Sequence, residues 1–161
     1  MSVTTIREAV PADFDTLARL YSELDAYHAA VHPDLFRVPD PTAARPDAYY
    51  QELLDSPLCR LLVAEVDGQV VGFVSFRLDY SPELPNCLPY TYVKVSDLGV
   101  TPAFRGRGLG RRLMQAAEDW ARQKGAVSLV LNVFDFNENA RELYRALGYH
   151  ELSHRMRKKL E

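Results

Sequence analysis

Three glycines and four arginines lie within the eight-residue stretch Arg105–Arg112. Glycine permits backbone conformations that point N–H groups at an anion, and arginine can bind phosphate through two N–H groups at once. The apolar residues from Leu109 onward recur at helical spacing, so the free N–H groups of a helix start would converge on the same point. The pattern predicts a phosphate-binding turn between a strand and a helix.

Other glycine-rich turns fit this stretch less well. A Walker A loop needs a Gly-Lys-Ser/Thr ending, which is absent here. A dinucleotide fingerprint spaces its glycines as Gly-x-Gly-x-x-Gly and has an acidic residue about 20 positions later. This chain has Gly-x-Gly-x-Gly, and Asn132 stands at the later position. A nucleotide-binding domain and a tight turn without a ligand remain the alternatives at this stage.

A second pattern downstream completes a resemblance to a known family. The turn Arg105-x-x-Gly108-x-Gly110 resembles the acetyl-coenzyme A pyrophosphate signature of the GNAT N-acetyltransferase superfamily. Asn137-x-x-Ala140-x-x-Leu143-Tyr144-x-x-x-Gly148-Tyr149 is similar to that family's later motif, at the family's interval. The two motifs cover Val93–Tyr149, and the element order from Thr4 onward is similar to the family's N-terminal arm.

The resemblance implies acetyl-CoA as cosubstrate, no metal, and a set of binding residues. One strand's backbone would pair with the pantetheine arm, the glycine turn and the Arg105 side chain would hold the pyrophosphate, and two asparagines would contact the cofactor amides. The implied residues are Leu98, Gly99, Val100, Arg105, Gly106, Arg107, Gly108, Leu109, Gly110, Arg111, Asn132 and Asn137.

Acyl transfer to an amine also needs an acid and a base. The resemblance implies that Tyr144 lies near the thioester sulfur, where a phenol can protonate the departing thiolate; packing beside Leu143 is the alternative. An ammonium is not a nucleophile at neutral pH, so a base must face it. Asp97 is the first candidate, with Ser96 beside it, and the two point to opposite faces if strand alternation holds.

Several other polar and aromatic side chains are candidates for amine contacts, each with an ordinary surface or packing role as the alternative. They are Glu23, Asp25, His28, His32, Tyr80 and Tyr90.

The elements that must position these residues follow from periodicity and turn residues. Alternation and the Asp67-Gly68 turn predict early strands, Pro11 opens a helix that ends near His28, and four prolines between residues 31 and 46 forbid a long element. The predicted strands are Thr4–Val10, Leu61–Val66, Val70–Leu78, Thr91–Val100 and a doubly buried Ala126–Val133. Further helices are predicted at Asp47–Leu54, from Leu109 to Gly125, and at Asn139–Ala146. Tyr149–Leu160 is a last extended stretch, too short for the family's usual final hairpin.

These elements predict one 1–161 domain of α/β (α+β) class with a mixed sheet. The GNAT resemblance implies a mostly antiparallel central sheet of six to seven strands flanked by about four helices.

Charge separates the two halves of the chain. Residues 1–80 carry 13 acidic and 6 basic residues, whereas residues 81–161 carry 9 and 13. The near-neutral net charge argues against binding to nucleic acid. No apolar run is long enough for a membrane span, and Cys59 and Cys87 lack the spacing of metal ligands. We expect a cytoplasmic protein; homodimers are frequent in similar proteins.

The sequence therefore predicts an N-acetyltransferase in which a small cationic amine attacks acetyl-CoA directly in a ternary complex. The acidic first half would attract the amine. A protein N-acetyltransferase and a non-catalytic acetyl-CoA-binding sensor or interaction module are the alternatives.

Overall fold

The computed structural model describes residues 2–40 and 45–161. The strands are β1 Thr4–Glu8, β2 Cys59–Val66, β3 Gln69–Tyr80, β4 Thr91–Val100 and β5 Ser128–Val130. The helices are α1 Phe14–Val31, α2 Asp47–Asp55, α3 Leu109–Gln123 and α4 Glu138–Ala146, and short 3-10 turns precede α1 and α3. The prolines at residues 33 and 39 lie in a segment without helix or strand, whereas Pro41 lies outside the described residues.

The strands form one sheet in the order β1-β2-β3-β4-β5. Neighbours from β1 to β4 are antiparallel, and β5 is parallel to β4 because α3 carries the chain across the sheet. The mixed, mostly antiparallel sheet with four helices confirms the predicted fold class. The described residues contain five strands, however, not six to seven, because the last segment, residues 150–161, joins no strand.

Two apolar cores lie on opposite faces of the sheet. The α1–α2 face holds buried side chains such as Leu17, Tyr21, Tyr50 and Phe73. The α3–α4 face holds Val74, Phe76, Val93, Val95, Leu113 and Met114. Each fully buried side chain of this size contributes about 1.5–3 kcal/mol. The sheet is therefore held from both sides, and its central strands form a rigid support.

Strand β5 differs from the prediction of a strand buried on both faces. Only three residues pair with β4, and the flanking Val127 and Val133 are 72% and 38% exposed. An apolar run alone cannot distinguish a central strand from an edge strand whose outer side is open. None of the helices in the described ranges has the length and apolar character needed to cross a bilayer.

A partly buried ion pair joins β1 to the start of α1. Arg7 Nη1 lies 2.8 Å from Asp13 Oδ2, and the Asp13 side chain is 8% exposed. Burial alone would raise the pKa of Asp13, but hydrogen bonds from Arg7 and from the Val10 N–H together lower it. The carboxylate therefore stabilises the fold above its ordinary pKa of about 3.9, and this contribution is lost as pH falls through the lowered value.

We expect Arg7→Met to lower the free energy of unfolding by about 1.5–3 kcal/mol at pH 7, because the buried Asp13 carboxylate loses its charged hydrogen-bond donor and Glu65 loses its partner as well. Protonation of Asp13 removes that charge, so urea unfolding at pH 3 should show a smaller loss. Arg122→Met is the control, since its pairs with Glu118 and Asp119 lie at the surface. An equal loss at both pH values would contradict the assignment.

Candidate active site

The candidate site lies where β4 and β5 stop pairing and separate. Only Tyr92, Val93 and Lys94 of β4 pair with β5, and β4 then continues to Val100. On that side, the backbone N–H and C=O groups beyond Lys94 face no strand among the described residues. Leu98, Gly99 and Val100 thus lie along a strand edge that no other described strand covers, and an extended ligand chain can hydrogen bond to its unpaired groups.

A bulge in β4 decides which side chains face which core. Ser75 pairs with Asp97 and Phe76 with Val95, so Ser96 has no partner on β3. Val95 packs on the α3 face, and simple alternation would put Asp97 on that same face. The extra residue reverses the alternation, so that Asp97 faces the α1 side. The sequence prediction for Ser96 and Asp97 assumed regular alternation and did not include this bulge. Ser96 is exposed at the bulge.

Asp97 lies in a polar cluster beneath α1. Ser75 Oγ donates a hydrogen bond to Asp97 Oδ2 at 3.2 Å. Burial raises the pKa of Asp97 above its ordinary value, against the Ser75 hydrogen bond and the positive charge of Arg45. A carboxylate with a raised pKa is a stronger base than an exposed one.

Arg45 and Asp25 complete this cluster, and sequence reasoning missed Arg45 and Ser75. Arg45 Nη1 lies 3.2 Å from Asp25 Oδ2, and its guanidinium carbon lies 4.8 Å from the centre of the Tyr21 ring. The cluster thus already holds one cation between carboxylates and an aromatic ring. Nothing in the linear pattern relates position 45 to positions 25 and 97, because only the tertiary fold brings them together.

The glycine turn follows β4 directly. Gly106 and Gly108 have φ of +74° and +76°, and Gly108 is the N-cap of α3. Within the described chain, no backbone carbonyl accepts a hydrogen bond from the N–H groups of residues 106–111. These donors and the positive end of the helix dipole form a place that can hold an anion.

Three of the four arginines of the turn contact other parts of the protein, and all four are exposed. Arg105 Nε donates to the Val100 carbonyl oxygen at 2.9 Å, which ties the turn to the end of β4. Arg107 contacts the Phe104 ring and the Ala103 carbonyl, and Arg112 reaches the Thr4 carbonyl at 3.0 Å. Arg111 is exposed near the start of α3. The Arg105 side chain keeps further N–H groups for an anion.

Gly110 has a different task from the other two glycines. It lies inside α3, and a Cβ there would sit 3.1 Å from Leu143 Cδ2 of α4. The absence of a side chain lets α4 approach the start of α3. A glycine of the phosphate motif thus also sets the distance between the anion turn and the helix that carries Tyr144.

Helix α4 carries the remaining motif residues. Asn137 caps the helix, because its Oδ1 accepts from the Ala140 N–H at 3.2 Å, and its Nδ2 can still donate to a ligand. Burial raises the pKa of Tyr144 to about 12, so its hydroxyl keeps a proton throughout the neutral range. Asn132 lies exposed beyond the end of β5.

An aromatic cluster joins the end of α1 to the loop before α4. The rings of His28 and His32 lie 5.4–5.9 Å from those of Phe134 and Phe136. His28 Nδ1 is 2.9 Å from the Leu24 carbonyl oxygen, which can only accept, so Nε2 carries the lone pair of the neutral ring. Both histidines thus face the loop that leads into the Asn137 cap.

The other candidates lie elsewhere. Thr101 Oγ1 donates to Glu23 Oε1 at 3.3 Å, at the end of β4. Tyr80 and Tyr90 line a groove on the β3–β4 connection. The seven residue-to-residue steps from Thr91 to Leu98 span about 23 Å of strand, so this groove lies far from the glycine turn. The described residues contain no group of three or more His, Cys, Asp or Glu side chains placed to hold a metal.

Comparison with known proteins matches this arrangement to a family. Residues 20–149 match the family described as Acetyltransferase (GNAT) family. The chain belongs to the GNAT acetyltransferase family.

Relatives of this GNAT chain extend over nearly its whole length. The uncharacterized N-acetyltransferase YhfO of Bacillus subtilis is 30% identical over 146 residues, covering 91% of this chain and 89% of that protein. Thialysine N-epsilon-acetyltransferase of Bos taurus is 30% identical over 161 residues, covering 95% and 88%. The crystal structure of a point mutant of the BH1408 protein from Bacillus halodurans superimposes with a TM-score of 0.92 at 27% identity, covering 98% and 99%.

Proposed function

We propose that this GNAT chain transfers the acetyl group of acetyl-CoA to a primary amine by direct attack in a ternary complex. One observation carries the proposal: the free edge of β4 ends at the anion turn, with Tyr144 on the helix that Gly110 brings to the same place. An extended pantetheine arm with a pyrophosphate at one end and a thioester at the other has this shape.

Each group then has one task in the proposed reaction. The N–H groups of residues 106–111 bind the pyrophosphate, and the backbone of residues 98–100 pairs with the pantetheine. The amine nitrogen attacks the thioester carbonyl carbon, the C–S bond breaks, and Tyr144 donates its proton to the departing sulfur. Asp97 takes one proton from the ammonium, directly or through water, before the attack. The second proton, which the nitrogen loses after the attack, passes to the Tyr144 phenolate and restores the phenol.

A thiol-release screen over amine classes tests the reaction. We expect one class among polyamines, amino acids, aminoglycosides and peptide amines to release free CoA, and calorimetry to show CoA binding without competition from ATP or NAD. CoA binding without thiol release from any amine would favour the non-catalytic alternative. Competition by ATP or NAD would favour a nucleotide-binding domain.

The polar cluster supports a cationic acceptor. Asp25 and Asp97 supply two carboxylates against the single positive charge of Arg45, so the cluster keeps a negative excess that can attract an ammonium. The bovine relative is named for an ε-amine substrate, which agrees with an amine of this class. We infer that a small ammonium binds beside these carboxylates before it loses its proton.

We expect Asp25→Asn to raise the KM of a cationic acceptor about tenfold, because a hydrogen bond to a charged group contributes about 1.5–3 kcal/mol. Steady-state kinetics with the acceptor found in the screen provides the measurement. Asp15→Asn, on the first turn of the same helix and exposed, is the matched control. A comparable change in the Kd of CoA, or in the control, would refute the assignment.

We expect Asp97→Asn to lower kcat/KM by about 10²-fold, in the range of a lost general base. The free energy of unfolding at pH 7 should not fall. Because folding raises the pKa of Asp97, its ionised carboxylate destabilises the folded state at pH values above the ordinary pKa of an aspartate, and asparagine carries no such charge. The wild-type kcat/KM should fall at acid pH with an apparent pKa above the ordinary value of an aspartate, and the variant should lack this fall. A variant that unfolds more readily but turns over normally would exclude the role.

A further inference from the structure

Tyr21 in α1 is a buried titratable residue that has no task in the proposed reaction. Its side chain is fully buried, and its ring centre lies 4.3 Å from that of Phe73 on β3. A phenylalanine would serve this packing equally well. The Tyr21 hydroxyl, however, has no hydrogen-bond partner among the described residues, and a buried polar group without a partner destabilises the fold. Packing alone therefore does not account for a tyrosine at this position.

The strand register places this hydroxyl beside a polar pair. Phe73 and Ser75 are two positions apart on β3, so their side chains share the α1 face about 6.7 Å apart. Their partners on β4 are Gly99 and Asp97, respectively. Burial raises the pKa of Tyr21, the Asp97 carboxylate raises it further, and the Ser75 hydroxyl lowers it. The Tyr21 ring thus packs on the apolar pair, and its hydroxyl lies close to the polar one.

Gly99 makes this arrangement possible. A Cβ at position 99 would lie 2.7 Å from Cε1 of Phe73, so the Phe73 ring occupies the space that a side chain would need. The Arg45 guanidinium also packs on the Tyr21 ring, with its carbon 4.8 Å from the ring centre. Phe73 and Arg45 together fix the plane of the Tyr21 ring, and with it the position of the hydroxyl near Asp97.

We propose that Tyr21 is a positioning residue for Asp97: its hydroxyl, acting through that of Ser75, keeps the carboxylate ionised and in place for the acceptor amine. Ser75 donates its only hydroxyl proton to Asp97, so its oxygen can still accept a proton from Tyr21. Two hydroxyls aligned in this way polarise each other and stabilise the negative charge of the carboxylate. The role toward the amine rests on the proposed function, whereas the effect on Asp97 itself does not.

Other polar and charged groups also face Asp97 and Tyr21. Burial raises the pKa of Asp97, and four side chains from α1, β3 and the segment before α2 modify it: Ser75 and Arg45 lower it, Asp25 raises it and His28 lowers it. On the α2 side, Tyr49 acts on the Tyr21 hydroxyl. Replacement of Tyr21 by phenylalanine leaves all of these groups in the chain, so a change in the titration of Asp97 reports on the lost hydroxyl.

Tyr21→Phe and its control Tyr50→Phe test the proposal in the full chain without CoA or amine. Both tyrosines are fully buried, and both hydroxyls lack a partner among the described residues, but the Tyr50 ring packs on Phe14, about two turns of α1 before Tyr21. We expect Tyr21→Phe to raise the pKa of Asp97 and Tyr50→Phe to leave it unchanged. Carbon NMR of the carboxyl groups measures this titration, and Asp97→Asn identifies the signal.

The same two variants separate this role from simple packing. Neither should unfold at a lower urea concentration than the wild type, because each loses a buried hydroxyl that has no partner. An unchanged titration of Asp97 in Tyr21→Phe, or an equal shift in both variants, would overturn the proposal.

Kinetics with an amine that releases thiol connects the effect to the reaction. In Tyr21→Phe we expect the fall of kcat/KM at acid pH to move to higher pH, and the plateau to drop about fivefold, in the range of one lost hydrogen bond between neutral groups. The Kd of CoA should stay the same. A shifted NMR titration with an unshifted pH profile would confirm that Tyr21 acts on Asp97 and would refute Asp97 as the base of the proposed reaction.

Discussion

Replacement of Tyr144 by phenylalanine should lower kcat about 10²-fold or more while CoA binds as in the wild type, because the hydroxyl is the proposed proton donor to sulfur. Burial raises the pKa of this phenol to about 12, so it is protonated at every pH in which the protein works. In the proposed reaction the departing thiolate would form in the same desolvated surroundings, where burial raises the pKa of a thiol, and this would bring the two groups closer in acidity.

Tyr149→Phe is the matched control for this experiment. The two rings lie 5.7 Å apart, and burial also raises the pKa of Tyr149. The Tyr149 hydroxyl has no hydrogen-bond partner among the described residues, and its loss should leave kcat unchanged. Single-turnover release of free thiol measures the chemical step, and calorimetry measures the Kd of CoA. Equal losses in both variants would mean that Tyr144 acts through packing and not through its hydroxyl.

Replacement of Gly108 by alanine should weaken CoA binding tenfold or more. Gly108 has φ of +76°, which costs an L-residue about 1–2 kcal/mol, and any relaxation turns the N–H groups of the anion turn away from the pyrophosphate. Loss of one hydrogen bond to a charged group costs about 1.5–3 kcal/mol, and every 1.4 kcal/mol is tenfold in affinity. Isothermal titration with CoA is the measurement.

Gly125→Ala supplies the control at the other end of the same helix. Gly125 has φ of +71°, and at both glycines a Cβ would meet no atom within 4 Å, so the two variants carry similar strain. Both should lose similar stability, whereas only the change at Gly108 should affect CoA. A pantetheine thioester without the pyrophosphate should bind both variants equally. An equal loss of CoA affinity in Gly125→Ala would mean that the loss in Gly108→Ala comes from general destabilisation and not from the anion turn.

Local chemistry in the sequence predicted much of this fold. The Asp67-Gly68 turn adopts positive φ at both residues and closes the hairpin between β2 and β3, and β4 has the predicted bounds Thr91–Val100. Gly125 and Gly148 have positive φ next to the ends of α3 and α4. In each case a short-range conformational preference and the tertiary structure agree.

The parts that the sequence could not predict depend on contacts between distant residues. The bulge at Ser96 comes from the register between β3 and β4, for which periodicity within one strand carries no signal. The cluster of Asp25, Arg45 and Asp97 requires Arg45, just before α2, to lie against the side of α1. The motif residues from Arg105 to Tyr144 were found by resemblance, and their catalytic roles stay predictions until the variants are measured.

The unpaired residue also makes position 96 different from its neighbours in β4. Because Ser96 has no partner on β3, its removal would close the bulge and leave Asp97 opposite Ser75 and Leu98 opposite Val74. A residue added to or removed from the paired stretch Asp97–Val100 would instead move every later residue by one position and exchange the faces of those residues. The same change of length is therefore tolerated at the bulge and disruptive a few residues later, beside the open strand edge.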